Sequence, residues 1–221
     1  MSARAGGALS TAFAQAVNRV IGLSPAVNLV RIASHSRPRQ SPGKKKDGTR
    51  DAMRTEHEDY SQAGDDAAPV DMLAALFEAR GWSHEVVSPE EISGEVQGAW
   101  ANYQLRAIWR TEDNVLQLLC LPDVRVTETK RSAAHELLAL VNEQLWLGHF
   151  DVWSQGGMLV YRHGLLLGDD GLLSLSQAQG LVETAVDECD RFYPAFQFVL
   201  WGDKSPRDAL ASAMVDADGE A

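Results

Sequence analysis

Six histidines, two cysteines and scattered Ser and Asp residues are the side chains with which this 221-residue chain could do chemistry. His135-Glu136 begins like the zinc-protease helix motif, in which a second imidazole one turn later completes the metal pair and the Glu serves as base. Four residues after His135 stands Ala139, so that ligand is missing. His149 and His163 fall on adjacent predicted strands, where they could face one another across the hairpin or serve as a cap at the helix-to-strand junction and a half-exposed strand residue. Two imidazoles without a Cys or carboxylate partner do not make a zinc set. His84 follows Trp82, and His35 and His57 belong to the N-terminal segment.

Ser154, His163 and Asp169 supply the residue types of a hydrolase triad, but no GxSxG elbow presents the serine. Gly156-Gly157 and Gly168-Asp169-Asp170-Gly171 read as turns, because no helix start with Gly-Lys-Ser/Thr follows them to cradle a phosphate. Asp169-Asp170 offers fewer oxygens than a calcium loop requires. Cys120 and Cys189 lack CxxC spacing and read as ordinary buried thiols. No catalytic, cofactor-binding or metal-ligating residue is expected, and the chain is read as non-enzymatic.

The six tryptophans are read mainly as core residues, with any exposed ones as anchors for a partner. Indoles fill cores and also anchor interfaces, where they combine large apolar area with one N–H donor. Trp109 shares a strand phase with Tyr103 and Leu105 and is expected in the core. Trp100 and Trp153 fall on the more polar phase of their strands, are expected to be exposed, and are the candidate protein-binding residues.

The elements that must position these side chains are legible from Pro69 onward. Met72, Leu73, Leu76 and Phe77 have helical spacing, and Gly81 supplies the stop for a helix over Asp71 to Arg80. Glu91 to Gly98 reads as a strand, Trp100 to Arg110 as a better one with alternating faces, and Val115 to Leu121 as a nearly all-apolar central strand. A helix is predicted over Glu128 to Trp146, with Ala134, Leu137, Leu138, Val141 and Leu145 as its stripe and Gly148 behind it. His149 to Ser154 and Met158 to Leu167 then form a hairpin around Gly156-Gly157.

Ser174 and Gln177 have capping-box spacing and open the last helix, where Leu181, Val182, Ala185, Val186, Cys189, Phe192, Phe196 and Val199 recur at three- and four-residue steps. Pro194 is expected to kink or split that helix near Tyr193, and Gly202 to close it. The predicted order is α-β-β-β-α-β-β-α, an α+β domain over residues 68–203 with an antiparallel sheet of about five strands flanked by helices. Residues 204–221 are expected to be a disordered acidic tail.

Charge divides the chain near residue 50. Residues 1–50 hold nine Lys/Arg and one acid, a net of +8, whereas residues 51–221 carry −19. Residues 1–67 are read as a disordered segment passing from basic to acidic. The acidic character begins abruptly at Met53, so the favoured reading makes residues 1–52 upstream sequence translated from a misplaced start. A targeting peptide, a basic segment on an anionic membrane surface and a basic tail are the other readings. Apolar stretches there are short and interrupted, unlike a secretory signal. A body this acidic repels phosphate backbones, so no nucleic-acid partner is expected. No apolar run reaches the ~18–20 residues that span a bilayer, and no membrane association is expected of the body.

NEQLWLGHFDV, the following GGMLVYRHGLLL and the terminal ECDRFYPAFQFVLWG together resemble the YbjN-like bacterial family of sensory transduction regulators over roughly residues 68–203. That family is similar in fold to type III secretion chaperones, which dimerise and hold extended segments of clients. The resemblance implies a cytoplasmic protein-binding adaptor or chaperone-like module with a protein client, possible homodimerisation, no cofactor and no catalytic residue to transfer. A small-molecule or metal sensor or enzyme, using a pocket between the last helix and the sheet with His149, His163 or Arg162, is the alternative; a structural homodimer is the third.

Overall fold

The computed structural model describes residues 66–218. Their order is β1 (Asp66–Ala67), α1 (Pro69–Ala79), β2 (His84–Ser88), β3 (Glu91–Gln97), β4 (Asn102–Arg110), β5 (Val115–Leu121), a 3-10 turn (Glu128–Lys130), α2 (Arg131–Asn142), β6 (His149–Val152), β7 (Leu159–Leu166), β8 (Leu173–Ser174), α3 (Leu175–Leu200) and α4 (Pro206–Asp218). The expectations of a disordered basic-to-acidic segment and of a misplaced start before Met53 concern residues outside those described. The α+β class and the helix-flanked antiparallel sheet are as expected, with a sixth strand added.

Strand order in that sheet is β2-β3-β4-β5-β7-β6, every neighbouring pair antiparallel, and β1 pairs separately with β8. The added strand is β2, HEVVS. Its two valines are adjacent and half-exposed, so it shows none of the alternation that betrays a half-buried strand.

Helix α1 starts with Pro at its first turn and buries Val70, Met72, Leu73, Leu76 and Phe77. It ends in a Schellman motif, with Trp82 N–H donating to the Phe77 carbonyl (2.9 Å) and Gly81 N–H to that of Glu78 (3.0 Å). The core lies where α3 crosses the sheet. Leu105, Cys120, Tyr161 and Phe150 form one row across β4, β5, β7 and β6, and Phe192 and Phe196 close on Phe150 with ring centroids 6.0 and 5.5 Å away.

Three expectations need correction. The second helix stops at Asn142 rather than Trp146, because the Asn142 side chain turns back onto Phe150 and the chain must reach Gly148, held at φ +66°. A Cβ at Gly148 would overlap the Tyr161 hydroxyl, which donates to the Leu147 carbonyl at 2.8 Å.

Of the two outcomes expected at Pro194, a kink or a split, the split does not occur: α3 runs unbroken from Leu175 to Leu200. The segment after residue 204 is helical. Ser205 caps α4, accepting from Asp208 N–H at 3.2 Å and donating to the Asp208 carboxylate at 2.7 Å, and Ala209, Leu210 and Ala213 are buried in the common core.

Leu210→Ala removes a buried side chain and is expected to lower stability by about 2 kcal/mol or more. A frayed tail would give no change in the denaturant midpoint, so equilibrium unfolding decides between them.

Candidate functional site

The polar residues singled out by type do not converge. His135 and Ala139 are both exposed on α2. His149 pairs with Arg162, which places His163, one residue further along β7, on the opposite face of the sheet. The two imidazoles therefore cannot face one another, since adjacent strand positions point to opposite sides. His163 is buried and its Nδ1 has no hydrogen-bond partner among the described residues, while Ser154 and Asp169 are exposed turn residues. Among the described residues no group of three or more His, Cys, Asp or Glu could hold a metal ion. No helix among them is long and apolar enough to cross a membrane.

Cys120 of β5 and Cys189 of α3 meet inside the core, their sulfurs 3.5 Å apart. Burial pushes the Cys189 thiol well above its ordinary range, so it stays protonated and unreactive at neutral pH.

A groove of about 410 Å³ lies between α1 and the start of α3, lined by Met72, Leu76 and Leu175 with Asp66, Arg80 and Gln179. None of His149, His163 or Arg162 borders it. Arg80 is engaged by Glu183 at 2.5 Å.

The tryptophan expectation divides. Trp100 is 55% exposed as expected, although it lies in the turn between β3 and β4 rather than on a strand, whereas Trp153 is only 6% exposed. Strand β6 stops at Val152, and Trp153 begins the turn: its N–H donates to the Met158 carbonyl (2.9 Å) and its own carbonyl accepts from Gly157 N–H (3.0 Å). Alternation ends with the strand, so Val152 and Trp153 are buried in succession. Trp146 is 97% exposed in the loop after α2, and Trp201 is exposed at the end of α3.

Trp100 is nevertheless tethered. Pro194 has no N–H to give the carbonyl of Asp190 four residues earlier. That carbonyl accepts instead from Trp100 Nε1–H at 2.9 Å. The Asp190 carboxylate accepts from Ala99 N–H at 2.7 Å and from the Tyr103 hydroxyl at 2.5 Å. Burial and the adjacent carboxylate push the Tyr103 hydroxyl strongly up, which keeps it a donor. Gly98 completes this node, since a Cβ there would overlap the Tyr103 ring. Sequence periodicity carried the individual residues but not their meeting, which spans about ninety positions.

The two edges of the sheet differ in chemistry. At β6, Phe150 N–H donates to Asn142 Oδ1 (2.8 Å) and its carbonyl accepts from Asn142 Nδ2 (3.0 Å). Two residues on, Val152 N–H donates to the Asp151 carboxylate at 2.8 Å. A side-chain amide thus imitates the missing neighbour strand and closes that edge.

At β2, the Ser83 carbonyl accepts from Glu95 N–H at 2.9 Å, so alternation turns the backbone groups of His84 and Val86 outward as far as the bulge between Val86 and Ser88. Among the described residues no side chain or strand satisfies those outward groups. Val86 and Val87 are 50% and 52% exposed beside them.

Fold and site together define an α+β domain in which, among the described residues, one sheet edge is unpaired and the opposite edge is closed by side chains. The chain belongs to the YbjN family, described as "Putative bacterial sensory transduction regulator", whose model matches residues 69–198, more than half of the chain. No curated protein and no solved structure matches it. The family description gives a regulator, and NEQLWLGHFDV, GGMLVYRHGLLL and most of ECDRFYPAFQFVLWG, the segments that carried the resemblance, fall inside this span.

Asp190→Ala strands the buried Tyr103 hydroxyl and the Ala99 amide, and is expected to cost about 2 kcal/mol in chemical denaturation. Asp190→Asn, which keeps an acceptor, should cost less.

His163 supplies a pH signature. Burial lowers its pKa in the folded chain, so its contribution to stability is complete above the unfolded value of about 6.5 and is lost as pH falls below it. His163→Leu should show a smaller stability decrease between pH 7 and 5 than the natural chain. Asp187 and Glu188, whose carboxyls burial holds up, act with the opposite sign but are common to both proteins. Equal pH slopes in urea melts would refute this assignment.

Proposed function

We propose that this chain is a non-enzymatic protein-binding adaptor of the bacterial cytoplasm that receives an extended client segment as an added strand along β2. The carrying observation is the contrast between edges. Side chains close the outward amides of Phe150 and Val152 at β6, while those of His84 and Val86 at β2 have no such partner among the described residues. An added strand gains main-chain hydrogen bonds for affinity and side-chain contacts for choice. The regulator description of the family supports a role exercised through partners.

Trp100 stands apart from this edge in the β3–β4 turn and serves as a secondary contact, while buried Trp153 contributes through the core. The sensor reading has less support, because His163 is buried away from His149 and the apolar groove at α1 borders neither.

Amide hydrogen exchange tests the proposal. His84 and Val86 should exchange rapidly in the free protein and Phe150 and Val152 slowly. A nine-residue peptide alternating Val and Thr should protect His84 and Val86 on titration, and Val86→Pro, which deletes an outward donor, should abolish that protection. Binding that protects the α1 groove instead, or no binding at all, would overturn it.

A further inference from the structure

We infer that the client segment taken by β2 is basic on one face and apolar on the other, with Lys or Arg alternating with Val or Ile; this rests on the adaptor reading above. From Ser83 to Gln97 the chain carries four glutamates and no Lys or Arg. Glu91 is matched by Arg106 at 2.6 Å, while Glu85, Glu90 and Glu95 have no ion-pair partner among the described residues.

Register sorts these groups by face. Glu85 stands opposite Ser93 and on the same side as Glu91 and Glu95, whereas His84 and Val86 stand opposite Gly94 and Ile92 on the helix side. There His84 lies against Phe77, with ring centroids 6.0 Å apart, and Phe77 against Trp82.

An incoming strand sits about 4.8 Å from β2, and its residues alternate between these two environments. Those on the helix side meet Val86 and the aromatic shelf, and apolar side chains suit them. Those on the other side come within about 5 Å of Glu85, with Glu95 one strand further, and a cation suits them. A second copy of this chain fits poorly, because pairing β2 with itself would bring two sets of unmatched glutamates together without a basic residue between them.

The test uses the full chain and three labelled nine-residue peptides alternating Val with Lys, Thr or Glu, read by fluorescence anisotropy at low and moderate salt. The Lys peptide should bind about tenfold more tightly than the Thr peptide at low salt, with that advantage shrinking as salt rises, and the Glu peptide should bind most weakly. Replacing Glu85 and Glu95 with Gln should remove most of the Lys advantage while leaving Thr-peptide binding in place.

Equal affinity for Lys and Thr peptides, with β2 protected from exchange by both, overturns the basic specificity and leaves the adaptor reading standing. Absence of binding by all three overturns both. Lys-peptide binding indifferent to Val86→Pro and to the glutamate replacements identifies diffuse attraction to an acidic body and overturns the inference. So does a concentration-dependent dimer, in sedimentation, that Val86→Pro dissociates.

Discussion

A single carbonyl, that of Asp190, is the point on which the packing of the longest helix turns. Proline at position 194 frees it from the helix ladder, and a main-chain carbonyl is a strong acceptor that takes a donor wherever one is in reach. Trp100 supplies that donor, and the carboxylate of the same Asp190 holds Ala99 and Tyr103. One residue on α3 thereby fixes the β3–β4 turn and sets how the helix lies on the sheet. Once that register is set, Cys189 meets Cys120, and Phe192 and Phe196 close on Phe150. Interiors are close-packed, so a shift of α3 would disturb the whole row.

Anchoring one face of the sheet leaves its ends to be managed separately. An antiparallel sheet ends in two rows of outward backbone groups, each a template for another chain. Strand β6 is short and sits beside α2, whose last residue, Asn142, has a side-chain amide with one donor and one acceptor at the right separation to occupy Phe150. Among the described residues no helix end is placed to do this for strand β2. We propose that its bulge, Glu85 and the glutamates of β3 restrict which chains can add rather than closing the edge, and the proposed function follows from that difference.

Much of the fold was legible in the residues. Helical spacing in Asp71 to Arg80 and in Leu181 to Val199, alternation in Tyr103 to Trp109 and the apolar run of Val115 to Leu121 each reported a local face, and each became the expected kind of element. The Ser205-to-Asp208 spacing is the same kind of capping signal as Ser174 to Gln177, and would have revealed α4 had the small, polar composition not pointed to a tail. Alternation failed at Trp153 because the strand ended one residue earlier, and at β2 because an open edge buries neither of its valines.

The sequence by itself determined the class of domain, the kinds and order of its main elements and the family to which the chain belongs, because burial periodicity is a local property written every two or 3.6 residues. Only the tertiary structure decided that Pro194 is used rather than merely tolerated, that the two thiols touch, that His149 and His163 part, and which sheet edge is closed. Those outcomes depend on hydrogen-bonding groups brought together across the chain or on strand register, and no local period encodes either.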